Sequence, residues 1–245
     1  MDTFRPDLFT GKHVVVAGAT SGIGLAIAQG FAAHGASVTG LGSSAAKLAT
    51  LAAEGIVFRQ LELRDSDAVK AFCSGVSRAD IVINAAGIAR PEAEWDEAGF
   101  LDVMEVNLNA AMRLSYGLYP RLAEVKGSIV NVASMLSFLA DASVPAYGTS
   151  KTGILGLTRA CAHRWGREGI RVNAIAPGYH RTDMTRPIWS NPAGAAAVEA
   201  RTALGRWGAA EDLVGATLFL CSPAAAYVTG VCLEVDGGFV SGNPL

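Results

Sequence analysis

The sequence predicts an α/β fold, a parallel sheet covered by helices on both faces. Three observations carry it. Short β-branched runs alternate with alanine-rich stretches along the chain, which implies right-handed crossovers between parallel strands. Half of the residues are apolar but aromatics are few, so the core is built from Ala, Val, Leu and Ile, which suits helices packed closely on a sheet. A glycine-rich turn also joins the first strand to the first helix. The 245 residues fit one large α/β domain or two small ones; no repeat, low-complexity tract or linker divides them, and 1–245 is read as one domain.

The elements follow in order. "HVVVAGA" (13–19) reads as a first strand, after which Ile23, Ile27 and Phe31 recur at helical spacing up to Gly35. "SVTGL" (37–41) is a second strand, and "AAKLATLAAEG" a helix ending near Gly55. "IVFRQLEL" (56–63) is a third strand, followed by a helix starting at Asp65 or Ser66. "DIVINAAG" (80–87) is a fourth, a helical region reaches Val125, and "GSIVNVAS" (127–134) is a fifth. A helix over Tyr147–Arg167 leads to "GIRVNAIAPG" (169–178), then "AAEDLVGATLFLCS" is a last helix and "GVCLEVDGG" (230–238) a seventh strand. The segment from Thr182 to Leu204 is too long for an ordinary connection. It follows a strand's C-terminal end, where ligands bind in open α/β sheets, so it is read as a lid.

Bulk properties exclude several classes. A net charge of −2 with no basic tract argues against nucleic acid. Cys73, Cys161, Cys221 and Cys232 show neither metal-ligand nor redox-motif spacing, so no metal is expected and four reduced thiols point to the cytoplasm. The N-terminus lacks a signal-peptide layout. Leu213 to Leu233 carries no formal charge, but Ser222, Pro223, Thr229 and Gly230 interrupt it, so a helix, a turn and a strand are expected instead of a membrane span.

"AGATSGIG" places Gly18, Gly22 and Gly24 where a strand passes into a helix. Such glycines let the backbone turn tightly and bring a pyrophosphate against unpaired N–H groups at the positive end of the helix dipole. The spacing is not that of a triphosphatase loop. "AYGTSK" sets Tyr147 and Lys151 one helical turn apart on one face. A free phenol titrates near pH 10. A neighbouring ammonium is expected to lower that value, and Tyr147 then exchanges a proton with a substrate hydroxyl. Ser134, at the end of the fifth strand, has a hydroxyl able to orient the substrate oxygen. Taken singly, each of these residues also reads as an ordinary surface or turn residue.

The glycine turn, "NAAG" at 84–87, Asn107 in "VNL", Ser134, Tyr147-x-x-x-Lys151 and "PG" at 177–178 form an ordered set that resembles the short-chain dehydrogenase/reductase family from about Gly11 to Gly238. The resemblance implies a Rossmann-like, doubly wound single domain with a seven-stranded parallel sheet, and a homo-oligomer, commonly a homotetramer. It implies a catalytic set of Asn107, Ser134, Tyr147 and Lys151, with Lys151 also holding the ribose and Asn107 helping to carry a water. It implies cofactor contacts from Gly18, Ser21, Gly22, Ile23 and Gly24, from Gly42 and Ser43, from Glu62 and Leu63, from Asn84, Ala85 and Gly87, and from Tyr147, Lys151, Pro177, Gly178 and Thr182. Ala85 and Ala17 stand where the family usually has Asn and Thr. For Thr182 a helix N-cap role is the alternative.

"NVASMLSF", "VPAYGTSK", "VNAIAPGY", "GRWG", "YVTG" and "VDGG" further resemble the branch that oxidises 2-deoxy-gluconate or 2-keto-3-deoxy-gluconate. A sugar acid needs a cation for its carboxylate, and Arg90, Arg181, Arg186, Arg206 and His180 are candidates, with Tyr179 facing the pocket and Ser134 and Tyr147 holding the reacting oxygen. The second strand ends in "GLGSSAAK", with neither the carboxylate that binds the 2′-hydroxyl of NAD nor a basic residue for NADP. The sugar-acid branch implies NAD, with NADP as the other option. An NADPH-dependent 3-oxoacyl or general ketone reductase is the alternative enzyme. A nucleotide-sensing scaffold without catalysis is the alternative outside enzymes, disfavoured because Tyr147 and Lys151 are both present.

Overall fold

The computed structural model describes residues 4–242. Seven strands, β1 (His13–Ala17), β2 (Ser37–Gly42), β3 (Ile56–Gln60), β4 (Ile81–Asn84), β5 (Ser128–Val132), β6 (Arg171–Pro177) and β7 (Cys232–Val235), form one parallel sheet in the order β3-β2-β1-β4-β5-β6-β7. From β1 the chain runs outward to β2 and β3, then returns to β4 on the other side. This reversal opens a crevice beyond the carboxyl ends of β1 and β4.

Alternation along the strands divides the core. Val15, Val82 and Ile129 face α3 (Ser66–Gly75), α5 (Ala110–Val125) and α6 (Pro145–Trp165), packing on Val69, Leu114, Leu118 and Trp165. Val16, Ile83 and Val130 face α1 (Gly22–Ala33) and α9 (Asp212–Cys221), packing on Ile27, Phe31 and Leu213. Complete burial of Ile27, Phe31, Leu114 or Leu118 is worth about 1.5–3 kcal/mol each. Caps start several helices: Asp65 accepts from the N–H groups of Asp67 and Ala68 to open α3, and Ser44 accepts from Lys47 to open α2 (Ala45–Thr50).

The strands end earlier than their sequence pattern suggests. Leu61–Leu63, Ala85–Gly87 and Ala133–Ser134 continue the apolar or small-residue run but lie past the sheet, lining the crevice. The helical region before β5 is also not uniform. It consists of α4 (Glu97–Met104) and α5, joined by a π-helical turn over Glu105–Asn109. The charge-free run from 213 to 233 is α9, a short turn and β7, and no helix among the described residues is long and apolar enough to cross a membrane. The segment from 182 to 204 holds two helices, α7 (Arg186–Trp189) and α8 (Pro192–Arg201), set just after β6.

Candidate active site

A cleft of about 290 Å³ lies beyond the carboxyl ends of the strands. One end is the β1–α1 turn. There Gly18 has φ +79, and a Cβ on it would stand 2.7 Å from the backbone of Ala86. A Cβ on Gly24 would stand 2.2 Å from the carbonyl oxygen of Gly18, and one on Gly42 would stand 2.2 Å from Thr20. A floor this free of side chains, opening onto a helix N-terminus, fits the pyrophosphate of a dinucleotide.

At the other end stand Ser134, just past the end of β5, and Tyr147 and Lys151, placed by α6. Pro145 occupies the first turn of that helix, so Tyr147 is its third residue and Lys151 lies one turn on. Lys151 is buried; its Nζ donates to the carbonyl oxygen of Val132 (2.7 Å) and lies 5.6 Å from the centre of the Tyr147 ring. A Cβ on Gly87 would stand 3.4 Å from that nitrogen, so a glycine there leaves the ammonium open to the cleft. Ser134 Oγ accepts from the N–H of Leu136 (3.1 Å), which aims the hydroxyl.

Electrostatics differ from the sequence expectation. Burial pulls the Lys151 ammonium down to about 8. Burial also raises the Tyr147 phenol above its ordinary range; a hydrogen bond with Ser134 opposes this, and the charge of Glu94 adds to the rise. Sequence reasoning expected Lys151 to lower the phenol's pKa, but in the polypeptide alone desolvation wins. The positive ring of an oxidised nicotinamide acts in the lowering direction when bound.

A family model described as enoyl-(acyl carrier protein) reductase matches residues 18–240. The gluconate 5-dehydrogenase of Gluconobacter oxydans (strain 621H) is 37% identical over 249 residues, covering 96% of this chain and 97% of that protein. The 2-dehydro-3-deoxy-D-gluconate 5-dehydrogenase of Bacillus subtilis (strain 168) is 38% identical, covering 94% and 95%. Among solved structures, a gluconate 5-dehydrogenase from Burkholderia cenocepacia J2315 in complex with NADP and tartrate superposes with a TM-score of 0.89 at 31% identity, covering 96% of this chain and 98% of that one. The chain belongs to the short-chain dehydrogenase/reductase family. It is an NAD(P)-dependent oxidoreductase acting on a CH–OH group.

Most residues expected from the short-chain dehydrogenase/reductase likeness line the cleft: Gly18, Ser21, Gly22, Ile23, Gly24, Gly42, Ser43, Glu62, Leu63, Ala85, Gly87, Ser134, Tyr147, Lys151, Pro177, Gly178, His180 and Thr182. Four do not. Asn84 is buried behind the cleft; its Nδ2 donates to Ser115 Oγ (3.0 Å) and Asn131 Oδ1 (2.8 Å), and Asn131 in turn donates to Thr158 of α6 (2.9 Å). It thus ties β4 and β5 to the helix carrying Tyr147. Asn107, in the π turn, donates to Ile88 O (2.9 Å) and Ser150 Oγ (3.1 Å) and accepts from Ile88 N (2.8 Å), so its side chain is fully engaged by the protein.

Arg90 points to Asp102 (3.2 Å), which also holds Arg64 (2.6 Å) at the cleft rim, so the attraction of that carboxylate turns it from the pocket. Tyr179 packs between Trp207 and Phe239, ring centres 5.4 and 5.3 Å away. The remaining arginines considered for a substrate carboxylate also have carboxylate partners: Arg186 with Asp183, Arg206 with Asp212, and Arg181 with Glu199 at 4.0 Å. His180 lines the cleft but is 4% exposed, and burial lowers its pKa, so it offers a neutral imidazole. Thr182 does not cap α7, whose N-cap position is Thr185; its methyl group lies beside Gly22. Among the residues sequence reasoning passed over are Arg64, Thr20 and above all Glu94, which is 1% exposed.

Proposed function

We propose that this chain interconverts a secondary hydroxyl and a ketone on a sugar acid, of the deoxy- or keto-gluconate kind. The observation that carries the reading is the convergence of Ser134, Tyr147 and Lys151 at one end of a cleft whose other end is the bare glycine turn. The relatives named for gluconate and 2-dehydro-3-deoxy-gluconate support the substrate class. Ser134 holds the substrate oxygen by a hydrogen bond. Tyr147 removes the hydroxyl proton during oxidation and returns it during reduction. Lys151 holds the ribose hydroxyls and supplies the positive charge that favours the phenolate. A nicotinamide cofactor held between the glycine turn and Lys151 would supply the hydride exchange. Asn107 acts through the loop it pins at Ile88.

The cofactor we expect is NAD, from the resemblance to the sugar-acid branch, and NADP is admitted because the cleft wall at Gly42 and Ser43 presents neither a carboxylate nor a basic group. Exposed Tyr116 on α5, with Tyr227, Val231 and Leu233 at the β7 edge, supports association into a homo-oligomer, a tetramer in our reading. Four unpaired cysteines fit a cytoplasmic setting. The test of function is turnover across a panel of sugar acids and plain ketones with each cofactor. Sugar acids should give the highest kcat/KM, and NAD should be preferred. A preference for plain ketones with NADPH would replace this reading with a general reductase.

A further inference from the structure

We propose that Glu94 is a positioning residue for Tyr147: its carboxylate clamps the first turn of α6 to the chain leaving β4 and fixes a negative charge behind the phenol. This rests on the reading of Tyr147 as the acid and base. Glu94 sits in a single helical turn, Ala93–Trp95, and is 1% exposed. Its Oε1 accepts from the N–H of Arg90 (2.7 Å) and its Oε2 from the N–H of Tyr147 (2.8 Å).

The N–H of Tyr147 is one of those that a helix leaves unpaired at its start. The residue before α6 is Val144, whose side chain has no acceptor, and Pro145 has no N–H to satisfy. A Ser or Asn at 144 would cap the helix at little cost. Instead the acceptor comes from Glu94, a carboxylate that makes no ion pair among the described residues. Burying such a charge is expensive unless it is hydrogen-bonded on both sides, as this one is. The positive end of the α6 dipole favours it as well.

The contacts close into a ring around the backbone of Tyr147. Ser150 Oγ donates to the carbonyl oxygen of Tyr147 (2.7 Å), Asn107 donates to Ser150, and Asn107 holds both polar backbone atoms of Ile88, two residues before Arg90. Glu94 completes the ring at the N–H. Both backbone ends of Tyr147 are therefore fixed, which orients its phenol in the cleft.

Few other charges act on that phenol. Lys151 lies on the same helix, and His180 lines the cleft as a buried imidazole. On the elements packed against α6, Asp102 is paired with Arg64 and Arg90, Glu105 with Arg113, and Glu168 accepts from Tyr119; Arg171 donates to backbone carbonyls and Glu97 is exposed. Glu94 opposes ionisation of Tyr147, after burial itself.

Two variants separate charge from placement. Glu94→Gln removes the charge and keeps the size. The acid limb of log kcat/KM for alcohol oxidation should move down by about one pH unit, because the phenolate then forms more easily. Glu94→Asp keeps the charge but is too short to reach both N–H groups. Its limb should stay in place while kcat falls about tenfold. Independently of turnover, the step in a tyrosinate absorbance titration that disappears in Tyr147→Phe should move to lower pH in Glu94→Gln. A Glu94→Gln profile superimposable on that of the unmodified enzyme overturns the proposal, as does Glu94→Asp with unchanged kcat. If Glu94→Gln does not fold, judged by circular dichroism, Glu94→Asp decides alone. Turnover retained in Tyr147→Phe would remove the acid–base reading itself, whatever Glu94 does.

Discussion

Lys151 stores a measurable cost in the protein without added cofactor. The residue is 3% exposed and burial holds its pKa at about 8, against 10.5 unperturbed. That depression amounts to about 3 kcal/mol against the folded state at neutral pH. Lys151→Met removes the charge and keeps most of the apolar stem. It also leaves the carbonyl oxygen of Val132 without its donor, a loss of about 1–2 kcal/mol. The net expectation is a gain of about 1–2 kcal/mol, or roughly 3–6 °C in Tm for a chain of this size, together with loss of turnover.

The pH dependence gives the sharper test. Between the folded and unfolded values the unfolded chain binds more protons at this lysine, so the unmodified protein gains stability as pH rises. The advantage of Lys151→Met should therefore shrink by about 1 kcal/mol between pH 7 and pH 9. Chemical denaturation of both proteins at equal concentration, without added cofactor, at the two pH values measures it. A pH-independent difference, or a less stable Met variant at pH 7, would refute the argument that a desolvated charge sits at this position.

Further predictions concern the cleft and the far end of the sheet. Gly18→Ala places a Cβ 2.7 Å from Ala86 at a positive φ, so cofactor binding by fluorescence titration should weaken by at least about tenfold and stability fall by about 1–3 kcal/mol. Asp80 accepts from Arg78 (2.6 Å), the N–H of His13 (2.9 Å) and Lys12 (3.1 Å); burial pushes its pKa upward, but these partners outweigh it and hold it at about 2. A depressed carboxylate contributes above its unfolded pKa and loses that contribution as pH falls toward 2. Because Arg78 and Lys12 are half exposed, the contribution is about 1–2 kcal/mol, lost between about pH 4 and pH 2. Urea midpoints of Asp80→Asn should show that loss already at pH 7 and less acid sensitivity.

The alternation of strands and helices along the chain, and the residues at the two ends of the cleft, were legible in the sequence because both rest on local signals. The glycine turn follows a strand, and the Tyr147–Lys151 spacing is one turn of helix. What sequence missed depends on contacts between distant segments. Glu94 reads as one more acidic residue in a polar loop, and only folding brings it to Tyr147, 53 positions later. Arg90 has the right type and place for a substrate carboxylate, but Asp102, which also pairs with Arg64, holds it instead. Asn84 stands at the end of β4 as expected, yet its amide faces the core and braces α6 instead of lining the cleft. The π turn at Asn107 carries no strong local signature, since its residues suit an ordinary helix.

The central claim is that the phenolic oxygen of Tyr147 carries the proton. Steady-state turnover of Tyr147→Phe on the best sugar acid, with cofactor affinity measured on the same preparation, tests it most directly. The account predicts a kcat lower by about 10²–10⁴-fold with the cofactor still bound. Turnover near that of the unmodified enzyme, in a variant that folds and binds cofactor, would contradict it.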